Sequence, residues 1–176
     1  MSAIKASKTK LLLLDVDGVL TDGSVTYSGE DIESKSFNIK DGLGIKLLQS
    51  AGISVGIITG RTSPMVERRA KELGISTVVQ GREDKGAALE EVAIAAGLDS
   101  SQIAYMGDDL PDLSALKKAG LAMAPQDAHS DVLSCVDWTA MKAGGQGAVR
   151  EACDYILSAS GAYSDVTQNF WGSQDE

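Results

Sequence analysis

The stretch LLLLDVDGVLTD, residues 11–22, ends an unbroken aliphatic run with two acids one residue apart and a glycine directly behind them. Four consecutive leucines bounded by polar residues fit a short strand covered on both faces, as in a parallel sheet with helices on either side. Residues i and i+2 of an extended chain point the same way, so Asp15 and Asp17 face one cavity while Gly18 lets the backbone turn tightly. Neighbouring carboxylates repel unless a cation or a shared proton lies between them.

The rest of the chain repeats the strand-then-helix rhythm of an α/β fold. Residues 10–16, 53–59, 77–80, 103–107, 121–123 and 136–138 read as strands, and 44–51, 64–73, 85–96, 111–118 and 147–160 as helices. Pro64 and Pro111 sit in first helical turns, and Gly52, Gly74, Gly97 and Gly120 follow helices as stops. A doubly wound parallel sheet within one domain, residues 1–176, is the expected architecture. One segment departs from it: residues 24–38 alternate at period two around a turn at 28–31, which predicts a projecting β-hairpin. The tail, 162–176, is polar apart from a few aromatic and aliphatic residues and reads as mobile unless Phe170 and Trp171 anchor it.

Composition narrows the function. A formal charge of −9 on 176 residues argues against nucleic acid or an anionic membrane as partner. No apolar run approaches a membrane span, Cys135 and Cys153 form no paired motif and read as buried small groups, and a single histidine, His129, excludes a His-rich metal site. A cytoplasmic protein is expected.

Ligands of open α/β sheets bind at the carboxyl ends of the strands, where Asp15, Thr59 and Asp108 all fall. The second acidic cluster, GDDLPDL at 107–113, again closes an apolar strand. A capping aspartate before Pro111 accounts for Asp109, but capping does not account for acids at two strand ends together. Hard oxygen donors with no soft ligand nearby suit Mg²⁺. Each residue also has a plainer reading: Thr59 as a β-branched strand end, Lys85 as a solvated lysine that the helix dipole disfavours, Arg68 and Arg69 as a charged helix face. The run 144–147 lacks the Lys-Ser/Thr of a P-loop and reads as a flexible turn before the last helix.

The order DVDGVLTD, IITGR (57–61), Lys85 opening a helix and GDDLPDL resembles, over nearly the whole chain, the haloacid dehalogenase-type phosphohydrolases. FNIKDGLGIKLL (37–48), TGR (59–61) and GGQGAVRE (144–151) resemble their small capless sugar-acid branch, the 3-deoxy-D-manno-octulosonate (KDO) 8-phosphate phosphatases. The resemblance implies Asp15 as nucleophile, forming an aspartyl-phosphate, and Asp17 as general acid and then base. It implies Mg²⁺ held by Asp15, the main-chain carbonyl of Asp17 and Asp108. Thr59 would bond a phosphoryl oxygen, Lys85 would neutralise its charge, and Asp109, with Asp112, would orient Lys85 or support the ligands from behind.

For the sugar acid, the resemblance implies Asp17, the loop Asn38, Ile39, Lys40, Asp41 and Gly42, then Lys46, Gly60, Arg61, Arg69 and Lys85. Lys40 and Lys46 stand where many members carry Arg and lack its bidentate fork. With no cap to close the site, the resemblance implies a homotetramer whose neighbouring subunits complete each site, serving lipopolysaccharide-type synthesis. Nine-carbon sugar-acid 9-phosphates are the nearest alternative substrates. Arg61 favours the eight-carbon acid, since the nine-carbon group tends to carry Glu there. A phospho-accepting receiver or idle binding module also gathers acids around Mg²⁺, but does not need Asp17 two residues after the acceptor.

Overall fold

Alternation sorts the four leucines of residues 11–14 between two cores. In this computed structural model, which describes residues 1–27 and 33–171, the chain runs α1 (Ser2–Ala6), β1 (Leu11–Leu14), β2 (Thr26–Tyr27), β3 (Glu33–Ser34), α2 (Ile39–Ser50), β4 (Ser54–Ile58) and α3 (Pro64–Leu73). It continues through β5 (Thr77–Val79), α4 (Lys85–Ala96), β6 (Ile103–Met106), α5 (Leu113–Leu116), β7 (Leu121–Ala124), α6 (Ser130–Leu133), β8 (Trp138–Thr139), α7 (Ala148–Ser160) and α8 (Tyr163–Thr167). Leu12 and Leu14 join Ile57, Met106 and Met123 in a core roofed by α2, α3 and α7. Leu11 and Leu13 join Ile58, Ile103 and Tyr105 in a second core under α4, α5 and α6. Burying each leucine contributes about 1.5–3 kcal/mol, which holds β1 rigidly between the layers.

The sheet is parallel throughout, in the order β5-β4-β1-β6-β7-β8. Leu11–Leu14 pairs with Ser54, Val55, Gly56 and Ile57 on one side and with Ile103, Ala104, Tyr105 and Met106 on the other. The chain therefore builds outward from β1 to β5, then restarts beside β1 at β6. That reversal opens a crevice at the carboxyl ends of β1 and β6, the place where such sheets bind ligands. The doubly wound sheet matches the sequence expectation, as do the bounds of α3 and α4.

Several elements differ, each for a local reason. Helix α2 begins at Ile39, five residues before the expected start at 44, so residues 38–42 are a cap and first turn rather than a loop. Asn38 caps that turn, its side chain accepting from Lys40 N at 2.8 Å. Gly42 masks the helix in sequence; it packs beside Arg69, whose guanidinium would lie 2.5 Å from a Cβ at that position. The expected helix at 111–118 is a 3-10 turn, Leu110–Asp112, followed by the short α5. The short helices α1 and α6 carry no long apolar period, and the sequence did not reveal them.

In the insertion, β2 and β3 pair antiparallel, Thr26 with Ser34 and Tyr27 with Glu33; the turn expected at 28–31 lies outside the described residues. The first part of the tail is ordered, as α8 and a 3-10 turn over Gln168–Trp171, with Val166 packed on the first core and Trp171 83% exposed. Residues 172–176 lie outside the described residues. Cys153 is buried as expected, whereas Cys135 is exposed.

Candidate functional site

At the end of β1 the ladder runs one residue further, Asp15 N donating to Met106 O at 3.0 Å, so the Asp15 side chain emerges at the rim, 5% exposed. Thr59 is set in the same way at the end of β4, its N–H donating to Val79 O at 2.9 Å. Asp15, Asp17, Thr59, Gly60, Arg61, Lys85, Asp108, Asp109 and Asp112 line one cleft of about 660 Å³. Every residue that the resemblance placed at the phosphoryl centre is therefore brought together.

Lys85 is the first residue of α4, yet it is 4% exposed. Its Nζ donates to Asp112 Oδ1 at 2.7 Å and lies 3.0 Å from Asp15 Oδ1, near enough for an ion pair but not aligned as a hydrogen bond. Asp112, 1% exposed, also accepts from the Tyr105 hydroxyl at 2.6 Å and from the main-chain N–H groups of Asp108 (3.0 Å) and Asp109 (3.2 Å). Both of its oxygens are committed. Asp112, not Asp109, orients Lys85; Asp109 is exposed and caps the Leu110–Asp112 turn, accepting from Leu110 N at 2.8 Å. A helix-start lysine is stable here because two buried carboxylates outweigh the dipole.

Burial, then Asp112, pushes the Asp15 carboxyl up to about 7, with Lys85 opposing. Burial, then Asp15 and Asp112, pushes Asp108 up to about 8. Burial works against the charge on Lys85, but Asp15 and Asp112 hold its pKa above the ordinary value.

Carboxylate oxygens of Asp15, Asp108 and Asp112 lie within 4.8 Å of one another. Asp15 Oδ1 and Asp108 Oδ1 are buried without a hydrogen-bond partner. Because Asp112 is fully bonded, the free donors for a cation are Asp15 and Asp108. Asp108 Oδ1, with no partner, and Asp15 Oδ1, met only by its ion pair with Lys85, converge from two strand ends and fit a hard divalent ion. Gly18 makes this approach possible: its φ is +93°, and a Cβ there would lie 2.0 Å from Asp108 Oδ2.

The run at 144–147 is a packed support rather than a flexible turn. A Cβ on Gly144 would lie 1.8 Å from the Gly18 carbonyl oxygen, and Gly145 N donates to Val19 O at 2.9 Å. Glu151 fixes the strand exit before this turn, accepting from Met141 N at 2.7 Å and Lys142 N at 3.2 Å. Asn38 Nδ2 donates to Gly145 O at 3.2 Å.

The other predicted substrate residues do not line the cleft. Asp41 is buried between α2 and α7, where Oδ1 accepts from Arg150 N at 2.8 Å and so caps α7, and burial pushes its carboxyl up to about 6. Its place in the fold is that of a helix cap, outside the cleft lining. Ile39 is 82% exposed, and Lys40 and Lys46 point to solvent. Arg69 donates to Asn38 O at 3.3 Å, lies over the Phe37 ring at 5.8 Å and lines a separate pocket of about 280 Å³ with Phe37, Lys35 and Arg68.

Sequence reasoning missed Lys35 and Glu33. The Lys35 ammonium is bonded to Asp17 Oδ1 and lies 3.1 Å from Glu33 Oε1. Arg61 bridges the same groups, Nη2 lying 3.5 Å from Glu33 Oε2 and Nε 3.8 Å from Asp17 Oδ2. The period-two alternation of the insertion was the available signal, since it puts residues 33 and 35 on one face.

Comparisons with known proteins agree with this geometry. Residues 38–120 match the haloacid dehalogenase-like hydrolase family. The 3-deoxy-D-manno-octulosonate 8-phosphate phosphatase of Escherichia coli K12 is 42% identical over 162 residues, which cover 92% of this chain and 86% of that protein. The Moraxella catarrhalis enzyme of that name, solved in complex with magnesium, phosphate and KDO, superposes with a TM-score of 0.94 at 44% identity, covering 96% of this chain and 97% of that one. The cobalt-bound Haemophilus influenzae enzyme gives a TM-score of 0.90 at 41% identity, covering 95% and 99%. The chain belongs to the haloacid dehalogenase-like hydrolases and, within them, to the family of the 3-deoxy-D-manno-octulosonate 8-phosphate phosphatases.

The two raised carboxyls make stability depend on pH. Asp15 and Asp108 start from an ordinary 3.8 and are raised in the fold, so the folded state keeps protons that the unfolded chain releases. Their contribution to stability therefore falls as pH rises from about 4 through about 8. In chelator-treated protein, changing these two residues together to Asn should flatten the decline in melting temperature between about pH 5 and about pH 8. Added Mg²⁺ should raise the melting temperature of the unsubstituted protein more at the upper pH than at the lower.

Proposed function

We propose that this protein is a Mg²⁺-dependent phosphatase that hydrolyses 3-deoxy-D-manno-octulosonate 8-phosphate through an aspartyl-phosphate, in the cytoplasm, for lipopolysaccharide-type synthesis. The observation that carries the proposal is Lys85 held between Asp15 and Asp112, beside the unpartnered, buried Oδ1 of Asp108 at the same cleft. Mg²⁺ held by Asp15, Asp108 and the Asp17 carbonyl would supply charge that offsets repulsion between the nucleophile and a phosphate dianion. The Asp15 carboxylate attacks phosphorus, and the bond from phosphorus to the sugar oxygen breaks as Asp17 gives that oxygen its proton. Water then loses a proton to Asp17 as it attacks phosphorus, and the acyl oxygen of Asp15 is released. Lys85 and Thr59 hold the phosphoryl oxygens throughout. Fixed donors and a fixed cation are worth most where charge moves during the reaction.

Two relatives bearing the phosphatase's name support the substrate, one of them solved with KDO. Arg61 lines the cleft, which supports its role as a contact for the sugar acid's carboxylate or hydroxyls. Substitution Asp15→Asn should lower phosphate release at least about a thousandfold, and Asp17→Asn about a hundredfold or more. In a phosphate-release panel, the eight-carbon acid should show a higher kcat/KM than the nine-carbon 9-phosphates. Equal values would overturn the substrate assignment, and full turnover by Asp15→Asn would overturn the mechanism.

The face bearing Asn38, Lys46 and Arg69 lies outside the cleft, which supports a homotetramer in which that face of one subunit completes its neighbour's site. The exposed Ile39 and the half-exposed Leu43 on α2 give it apolar surface to bury. Mixing Asp15→Asn subunits with Arg69→Ala subunits should then restore activity that neither variant has alone. No restoration after subunit exchange would contradict the shared site.

A further inference from the structure

We propose that Lys35, on the segment that follows β3, is a positioning residue for Asp17, fixing the carboxylate so that Oδ2 is the oxygen that exchanges protons. The assignment rests on the covalent reading of Asp15 and Asp17 above. The Lys35 side chain is 1% exposed, which is rare for a lysine unless the ammonium is paired, and its partners are Asp17 Oδ1 and Glu33 Oε1. Oδ1 is thus occupied by a hydrogen bond, whereas the Arg61 Nε that faces Oδ2 lies 3.8 Å away, beyond hydrogen-bond reach. Glu33 ties both cations together, through Lys35 and through Arg61 Nη2 at 3.5 Å, and both cations meet Asp17 at the edge of the cleft. An unpaired carboxylate on a strand exit samples several rotamers, and proton transfer needs one of them.

The consequence is clearest when the phosphoenzyme is hydrolysed. Water attacks phosphorus, its proton passes to Asp17 Oδ2, and the bond from phosphorus to Asp15 breaks with its electron pair returning to the Asp15 carboxylate. If Asp17 is misaimed this step slows, while formation of the phosphoenzyme from a nitrophenyl phosphate does not, because that phenolate leaves without a proton. Lys35→Met should therefore lower kcat and KM together by about tenfold, hold kcat/KM nearly constant and accumulate acid-stable phosphoprotein on quenching. Glu33→Gln, which leaves the lysine in place, should show the same signature more weakly and carries the test if the methionine variant does not fold. Asp17→Asn serves as the reference and should accumulate phosphoprotein strongly. Accumulation in Asp17→Asn but in neither hairpin variant, or an equal fall of kcat and kcat/KM in both, overturns the role of Lys35. Absence of phosphoprotein even in Asp17→Asn overturns the covalent reading, and this assignment with it.

Discussion

The ammonium of Lys85, buried between the carboxylates of Asp15 and Asp112, is the contact around which the cleft is organised. A buried ion pair is stable only if its remaining hydrogen-bonding capacity is met, and Asp112 meets it with Tyr105 and two main-chain N–H groups. That leaves Asp15 close to a positive charge yet incompletely neutralised, which suits a nucleophile meeting a phosphate. Removing Lys85 leaves two buried carboxylates facing each other without a cation, so the geometry of the cluster and its stability are coupled.

Around this rigid centre the loop after β1 is held from two directions. From below, the turn at Gly144 and Gly145 packs directly on the carbonyls of Gly18 and Val19, and its position is set by Glu151, Asn38 and the capping of α7 by Asp41. From above, the Glu33–Lys35–Arg61 network meets Asp17. Asp15 therefore belongs to the sheet, and Asp17 to a small polar assembly contributed by an insertion. The nucleophile needs fixed placement against the leaving group, whereas the acid-base group must serve opposite sides of the reaction in turn.

What could be read from the sequence divides along the same line. Asp15, Thr59 and Asp108 were legible because strand ends of a doubly wound sheet are set by topology, and an apolar run followed by an acid marks them. The bounds of α3 and α4 were legible because Pro64 and Gly74, or Asp84 and Gly97, are local signals. Which aspartate holds Lys85 was not, since Asp109 and Asp112 are equally close in sequence and only the turn between them makes one buried and the other exposed. The start of α2 was hidden by Gly42, a residue that disfavours helix interiors and is tolerated here within the packed first turn. Lys35 was hidden because a lysine in an alternating polar hairpin looks solvated until its partner across the cleft is known.

The central claim is that phosphorus passes through Asp15, and stereochemistry at phosphorus tests it most directly. With a phosphorothioate analogue of the substrate made chiral at phosphorus by two oxygen isotopes and hydrolysed in water carrying the third, two successive in-line displacements give net retention of configuration. Direct attack by water gives inversion. Retention is the expected result; inversion would mean that water, not Asp15, attacks phosphorus.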